Sequence, residues 1–134
     1  MAGYSGTPLA KKLGIKPGDT VLTISAPREY REWMGAVPDA RFFSKPPANG
    51  AEFVHLFVAS LAELEKHLSA ARKAMKADGM LWVSWHKKAA KIPTDVTEDK
   101  IRGRALKTDL VDVKVCAVSD EWSGLKLVVR KHLR

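Results

Sequence analysis

Two nearly continuous apolar runs of strand length, residues 53–58 and 80–85, flank a segment with helical spacing, and that arrangement leaves few folds open. In the first run Phe53, Val54, Leu56, Phe57 and Val58 place apolar side chains on both faces. A strand covered on both sides has this pattern, whereas a strand with one wet face alternates. Between the runs, Ser60 and Glu63 match a capping box, and Leu61, Leu64, Leu68, Ala71 and Met75 line one side of a helix that Gly79 is expected to end. Two covered strands joined by a helix form a parallel crossover, so the chain is expected to build an α/β sheet with helices on both faces. His55, inside the first run, is expected to be buried and structural.

The flanking segments extend this pattern. Thr7 as cap, Pro8 in the first turn, Leu9 and Leu13 on one face and Gly14 as stop predict a two-turn helix. Val21, Leu22 and Ile24 form a short strand, and Pro27 starts a second helix through Tyr30, Trp33, Met34 and Val37. Residues 41–44 read as a brief edge strand and 44–50 as loop. After the basic loop 86–93, Thr97 caps a third crossover helix, with Val96 and Ile101 stapling its entry and Glu98 and Asp99 at its positive end. Val111, Val113, Val115 and Ala117 then alternate with Asp112, Lys114 and Cys116, as Leu125, Leu127 and Val129 do with Lys126, Val128 and Arg130. These last strands are too close for a parallel crossover and must form an antiparallel hairpin.

At 134 residues the chain suits a single α/β domain spanning 1–134, since folding at that size hides roughly two-thirds of the unfolded surface. No apolar run approaches the roughly eighteen residues of a membrane span, and residues 1–6 lack the apolar core of a signal peptide. A cytoplasmic location without membrane association is expected. Cys116, the lone cysteine, reads as an inert buried thiol. The histidines at 55, 67, 86 and 132 show no metal-ligand spacing, so no metal site is expected.

The net charge of +8 is uneven. Residues 51–85 balance four acids with four bases, while 86–107 carry seven bases against three acids, and 126–134 add four bases with no acid. Such an excess attracts anions. Nucleic acid is a partner only weakly, because charge comes without a recognition helix or paired aromatic strand motif.

The element order resembles the class I methyltransferase fold: a doubly wound, three-layer, mostly parallel Rossmann-like sheet, shortened here and closed by an antiparallel hairpin. The run Leu13-Gly14-Ile15-Lys16-Pro17-Gly18-Asp19-Thr20-Val21-Leu22 is similar to the segment preceding the S-adenosylmethionine loop of many such enzymes. That loop is normally glycine-rich, whereas here it reads Ser25-Ala26-Pro27-Arg28, and Arg41-Phe42-Phe43-Ser44-Lys45 lacks the acid that resemblance implies for the ribose. A closer resemblance, over nearly the whole chain, is to the bacterial domain of unknown function 3052 family. It rests on Gly3-Tyr4-Ser5-Gly6-Thr7-Pro8-Leu9, Phe53-Val54-His55-Leu56-Phe57, Leu81-Trp82-Val83-Ser84-Trp85, residues 93–99, Val113-Lys114-Val115-Cys116 and Trp122-Ser123-Gly124-Leu125-Lys126. It implies no catalytic residues.

With the glycine loop replaced, the expectation is a non-catalytic binding or regulatory domain that takes a small anionic ligand or a protein partner at the carboxyl edge of the sheet, without a cofactor. An S-adenosylmethionine-dependent methyltransferase and a weak nucleic-acid binder are the alternatives. The expected ligand residues are Ser25 and Arg28 after the first strand, with Arg28 in a helix's first turn, and Ser84, Trp85, Lys87, Lys88, Lys91 and Thr94 around the basic loop. No catalytic residue is expected; Ser84 and His86 lack the elbow a hydrolase serine needs.

Overall fold

The computed structural model describes residues 8–134, so the Thr7 cap and the reading of residues 1–6 lie outside the described residues. Six strands, β1 (Thr20–Ile24), β2 (Arg41–Phe43), β3 (Ala51–Phe57), β4 (Met75–His86), β5 (Leu110–Ala117) and β6 (Trp122–Val129), form one sheet in the order β2-β1-β3-β4-β6-β5. The helices are α1 (Leu9–Leu13), α2 (Tyr30–Met34), α3 (Leu61–Ala74) and α4 (Glu98–Ala105). β1 to β4 run parallel. β6 inserts antiparallel between β4 and β5, as the hairpin requires.

Because β3 is covered on both faces, its side chains divide the core. Val54 and Leu56 pack with Leu64, Leu68, Ile101 and Ala105 beneath α3 and α4. Phe53 and Phe57 pack with Leu9, Leu13, Tyr30 and Met34 beneath α1 and α2. Three layers result, with β3 and β4 at the centre. Trp82 ties one outer layer to the sheet: its indole Nε1 donates to the Leu13 carbonyl at 2.9 Å.

α3 begins as its capping box predicts, with the Ser60 hydroxyl accepting from the Glu63 amide at 3.2 Å and the Glu63 carboxylate accepting from the Ala59 amide at 2.7 Å. Its end differs from expectation. The helix stops at Ala74, and Met75, buried and extended, pairs with Ala51. Between that pair and the next, Phe53 with Met80, β4 has more residues than β3, so residues 76–79 bulge. Gly79 serves the bulge: a Cβ there would lie 2.7 Å from the Glu52 carbonyl oxygen.

β5 is an edge strand with a register shift between Asp112 and Lys114, which leaves Val113 51% and Val115 44% exposed. Cys116 is half-buried and not the buried thiol expected. No helix among the described residues is long and apolar enough to cross a membrane.

Candidate functional site

The chain leaves β1 for β2 on one side and then returns to place β3 on the other, so strand order reverses beside β1. In doubly wound sheets that reversal opens a crevice beyond the carboxyl ends of the two diverging strands, here after Ile24 and Phe57. Ser25 forms the first wall, and its backbone turns left-handed, at φ 59°. This conformation favours glycine and costs other residues roughly 1–2 kcal/mol. A serine therefore makes the reversal expected of a glycine. Pro27 accepts from the Tyr30 amide at 3.1 Å and starts the turn that leads into α2. Arg28 is exposed and precedes that helix, so the placement in its first turn is corrected; α2 has five residues, too few for an appreciable dipole. On the second wall the Ser60 hydroxyl is engaged as the cap of α3.

Beneath the crevice lies a buried polar chain that no local spacing announces. The Tyr30 hydroxyl lies 2.9 Å from His55 Nδ1, and His55 Nε2 lies 2.7 Å from the Ser84 hydroxyl. All three side chains are buried, and His55 stacks on Phe57 with centroids 4.3 Å apart. Burial lowers the His55 pKa to about 3, keeping the ring neutral, and raises that of Tyr30, keeping the phenol protonated. A neutral imidazole offers one donor and one acceptor, which suits a hydroxyl on each side. Ser84 thus belongs to this internal chain and not to a ligand site. Its histidine partner is His55, across the β3–β4 pair, instead of His86. With all three groups sealed from solvent, the chain holds α2, β3 and β4 together and reaches no substrate.

A groove of about 690 Å³ opens beyond β4 and brings together Trp85, Lys87, Lys88, Lys91 and Thr94, five of the eight expected residues. Its loop is tied down at several points. The Lys87 amide donates to the Glu121 carbonyl at 2.9 Å, the Thr94 hydroxyl to the Ala59 carbonyl at 2.7 Å, and the Leu61 amide to the Asp95 carboxylate at 2.8 Å. Thr94 also accepts from the Val96 amide, so its hydroxyl builds the wall and is not a free donor. Trp85 is 9% exposed and packs in the core under α3 and α4, showing the groove only an edge. The acids lining the groove, Glu98 and Asp99, are both paired with Arg102. Lys87, Lys88 and Lys91 make no ion pair with a described residue, so positive charge dominates. His86, weighed in the sequence only as a partner for Ser84, also lines the groove; its buried Nδ1 has no hydrogen-bond partner among the described residues, and its ring centroid lies 4.0 Å from that of Trp122.

No family model and no curated protein matches the chain. Its fold has solved counterparts. A ribosomal protein methylase from Lactobacillus delbrueckii subsp. bulgaricus is similar at TM-score 0.54 and 10% identity, over 90% of this chain and 74% of that one. Magnesium protoporphyrin IX methyltransferase from Synechocystis PCC 6803, solved with bound SAM, gives 0.58 and 9%, over 90% and 74%. A protein of the NADB-Rossmann superfamily from Streptococcus agalactiae gives 0.53 and 8%, over 92% and 68%. These neighbours, two of them methylating enzymes, overturn the expectation of a non-catalytic binding or regulatory domain. That expectation rested on the replaced glycine loop, yet Ser25 adopts the left-handed turn a glycine favours. At such low identities the likeness speaks for architecture, and the chain has a shortened methyltransferase-like Rossmann-type fold.

Proposed function

We propose that this chain is an atypical S-adenosylmethionine-dependent methyltransferase, acting as one domain over residues 1–134 in the cytoplasm and belonging to the domain of unknown function 3052 family. The observation that carries the reading is the left-handed Ser25 at the strand-order reversal of a sheet whose solved counterparts include methyltransferases. The crevice residues fit the cofactor on the β1 side. Ser25 and Ala26 are small, and Arg28 is an exposed cation without an ion pair among the described residues, suited to a carboxylate. On the β2 side, Ser44 and Lys45 replace the usual acid, so ribose recognition rests on a hydroxyl or on backbone groups.

When bound, the cofactor would supply an electrophilic methyl group on a sulfonium and would leave as the neutral thioether, S-adenosylhomocysteine. This chain's contribution is positional. Ser25 to Arg28 form one wall of the crevice, and the Tyr30–His55–Ser84 chain fixes the start of α2 that bounds it. Holding two reactants in line accounts for a large share of the rate in such a transfer. Isothermal titration of the full chain with S-adenosylhomocysteine tests the reading. Saturable 1:1 binding that weakens in Arg28→Ala is expected; no heat with either S-adenosylhomocysteine or S-adenosylmethionine refutes it.

A further inference from the structure

We propose that the groove beyond β4 seats the methyl acceptor, and that this acceptor is an amphiphilic small molecule bearing a carboxylate or phosphate on an apolar body; the assignment as acceptor rests on the transfer reading above. Position supports it first. The Thr94–Ala59 and Asp95–Leu61 bonds fasten the groove's loop to the segment just after β3, which also bounds the cofactor crevice. The groove's loop is thus anchored to the segment that follows β3.

Charge and shape define the class. Lys87, Lys88 and Lys91 lie within five residues and have no counter-ion among the described residues, while the groove's own acids are spent on Arg102. An oxyanion would supply the missing charge. Ile92, Pro93 and the Trp85 edge give apolar surface for the rest of the molecule. Lys91 adds an independent sign: it closes a single 3-10 turn in the left-handed conformation, φ 55°, where glycine would be free of strain. Strain kept at a charged residue in a cavity wall is a mark of functional sites. His86 also lines the groove.

The test is a two-dimensional amide NMR titration of the full chain with three probes of similar body: phenyl phosphate, benzoate and neutral benzyl alcohol. Both oxyanions are expected to shift the amides of residues 86–94, and benzyl alcohol is not. Lys87→Ala and Lys88→Ala should each weaken phenyl phosphate binding by about tenfold, as for loss of one charge-assisted hydrogen bond. Lys91→Gly should weaken it while raising the melting temperature, a pair of opposite signs that a purely structural lysine cannot produce. S-adenosylhomocysteine is titrated separately, and its affinity should not change in the Lys87 and Lys88 variants. If it binds while phenyl phosphate leaves residues 86–94 unmoved, or if benzyl alcohol binds as well, the anionic-acceptor inference is overturned and the transfer reading stands. If oxyanions bind the groove and S-adenosylhomocysteine does not bind, the transfer reading fails and takes the acceptor assignment with it.

Discussion

Removing the Tyr30 hydroxyl leaves a fully buried histidine nitrogen without a partner, and the penalty can be worked from the geometry. Tyr30→Phe keeps the ring that packs edge-on against Phe57 and deletes only the 2.9 Å contact to His55 Nδ1. An orphaned buried polar group costs about 1–3 kcal/mol. With unfolding entropy near 2.1 cal/mol/K per residue, a chain of 134 residues loses about 3.6 °C of melting temperature per kcal/mol, so Tyr30→Phe should melt about 4–11 °C below wild type. Ser84→Ala, which orphans Nε2, should fall in the same range. The decisive variant removes all three polar groups together: Tyr30→Phe, His55→Leu and Ser84→Ala. Nothing polar is then left unpaired, and the triple variant should be more stable than either hydroxyl deletion, because exchanging a whole buried network for apolar groups is close to neutral.

The pH dependence supplies a second measure of the same group. The folded His55 titrates at about 3, below its ordinary 6.5, so between these values the unfolded chain binds a proton that the folded chain refuses. Stability contributed by His55 is therefore whole above pH 6.5 and declines as pH falls toward 3, at about 1.4 kcal/mol per unit. Urea unfolding at pH 7, 6, 5 and 4 would show the wild type losing stability faster than the triple variant. Two results would refute the reasoning: a triple variant as unstable as the sum of its single changes, or parallel pH slopes for the two proteins.

Three further substitutions follow from the packing. Gly124→Ala would bring a Cβ to 3.0 Å from the Trp82 ring and 3.1 Å from Val118, and thermal melts should show a loss of about 1–3 kcal/mol from overpacking. Trp82→Phe deletes the bond to the Leu13 carbonyl and should cost at least about 1 kcal/mol, with amides of α1 exchanging faster by hydrogen–deuterium exchange. Ser25→Gly relieves the left-handed strain and should raise stability by about 1 kcal/mol in denaturant titrations; a decrease would show that the serine side chain, and not the turn, holds the loop.

What the sequence revealed follows the range of the forces involved. The apolar runs at 53–58 and 80–85, the Ser60–Glu63 box and the Thr97 cap are local signals, and each marks a real element, with Thr97 accepting from the Lys100 amide at 3.3 Å. The end of α3 was misplaced because Gly79 signals a helix stop only if the helix reaches it. Pairing of Met75 with Ala51, set by the neighbouring strand, ends the helix five residues earlier. The alternation over 111–117 marks a real strand, but the exposure of Val113 and Val115 follows from its place at the edge of the sheet, which local spacing does not give. The basic loop was legible because its lysines are adjacent in sequence. The Tyr30–His55–Ser84 chain was not, since its members stand 25 and 29 residues apart and meet only through sheet register and helix docking.

These features converge on β3. On one face His55 ties it to α2 and to β4, and its pairing with β1 sets the crevice that Ser25 bounds. Past its carboxyl end, Ala59 and Leu61 hold the lysine loop through Thr94 and Asp95. A shift of β3 along its axis would therefore move the crevice and the groove's loop together, whereas a change confined to the β5 edge, which contributes nothing to the groove lining, would not. Its residues from Phe53 to Phe57 are no more than 1% exposed, and close-packed interiors resist such motion strongly. The placement of the groove's loop relative to the crevice thus depends on a fully buried strand, while the lysines that would select an acceptor sit on a loop whose side chains can change without disturbing it.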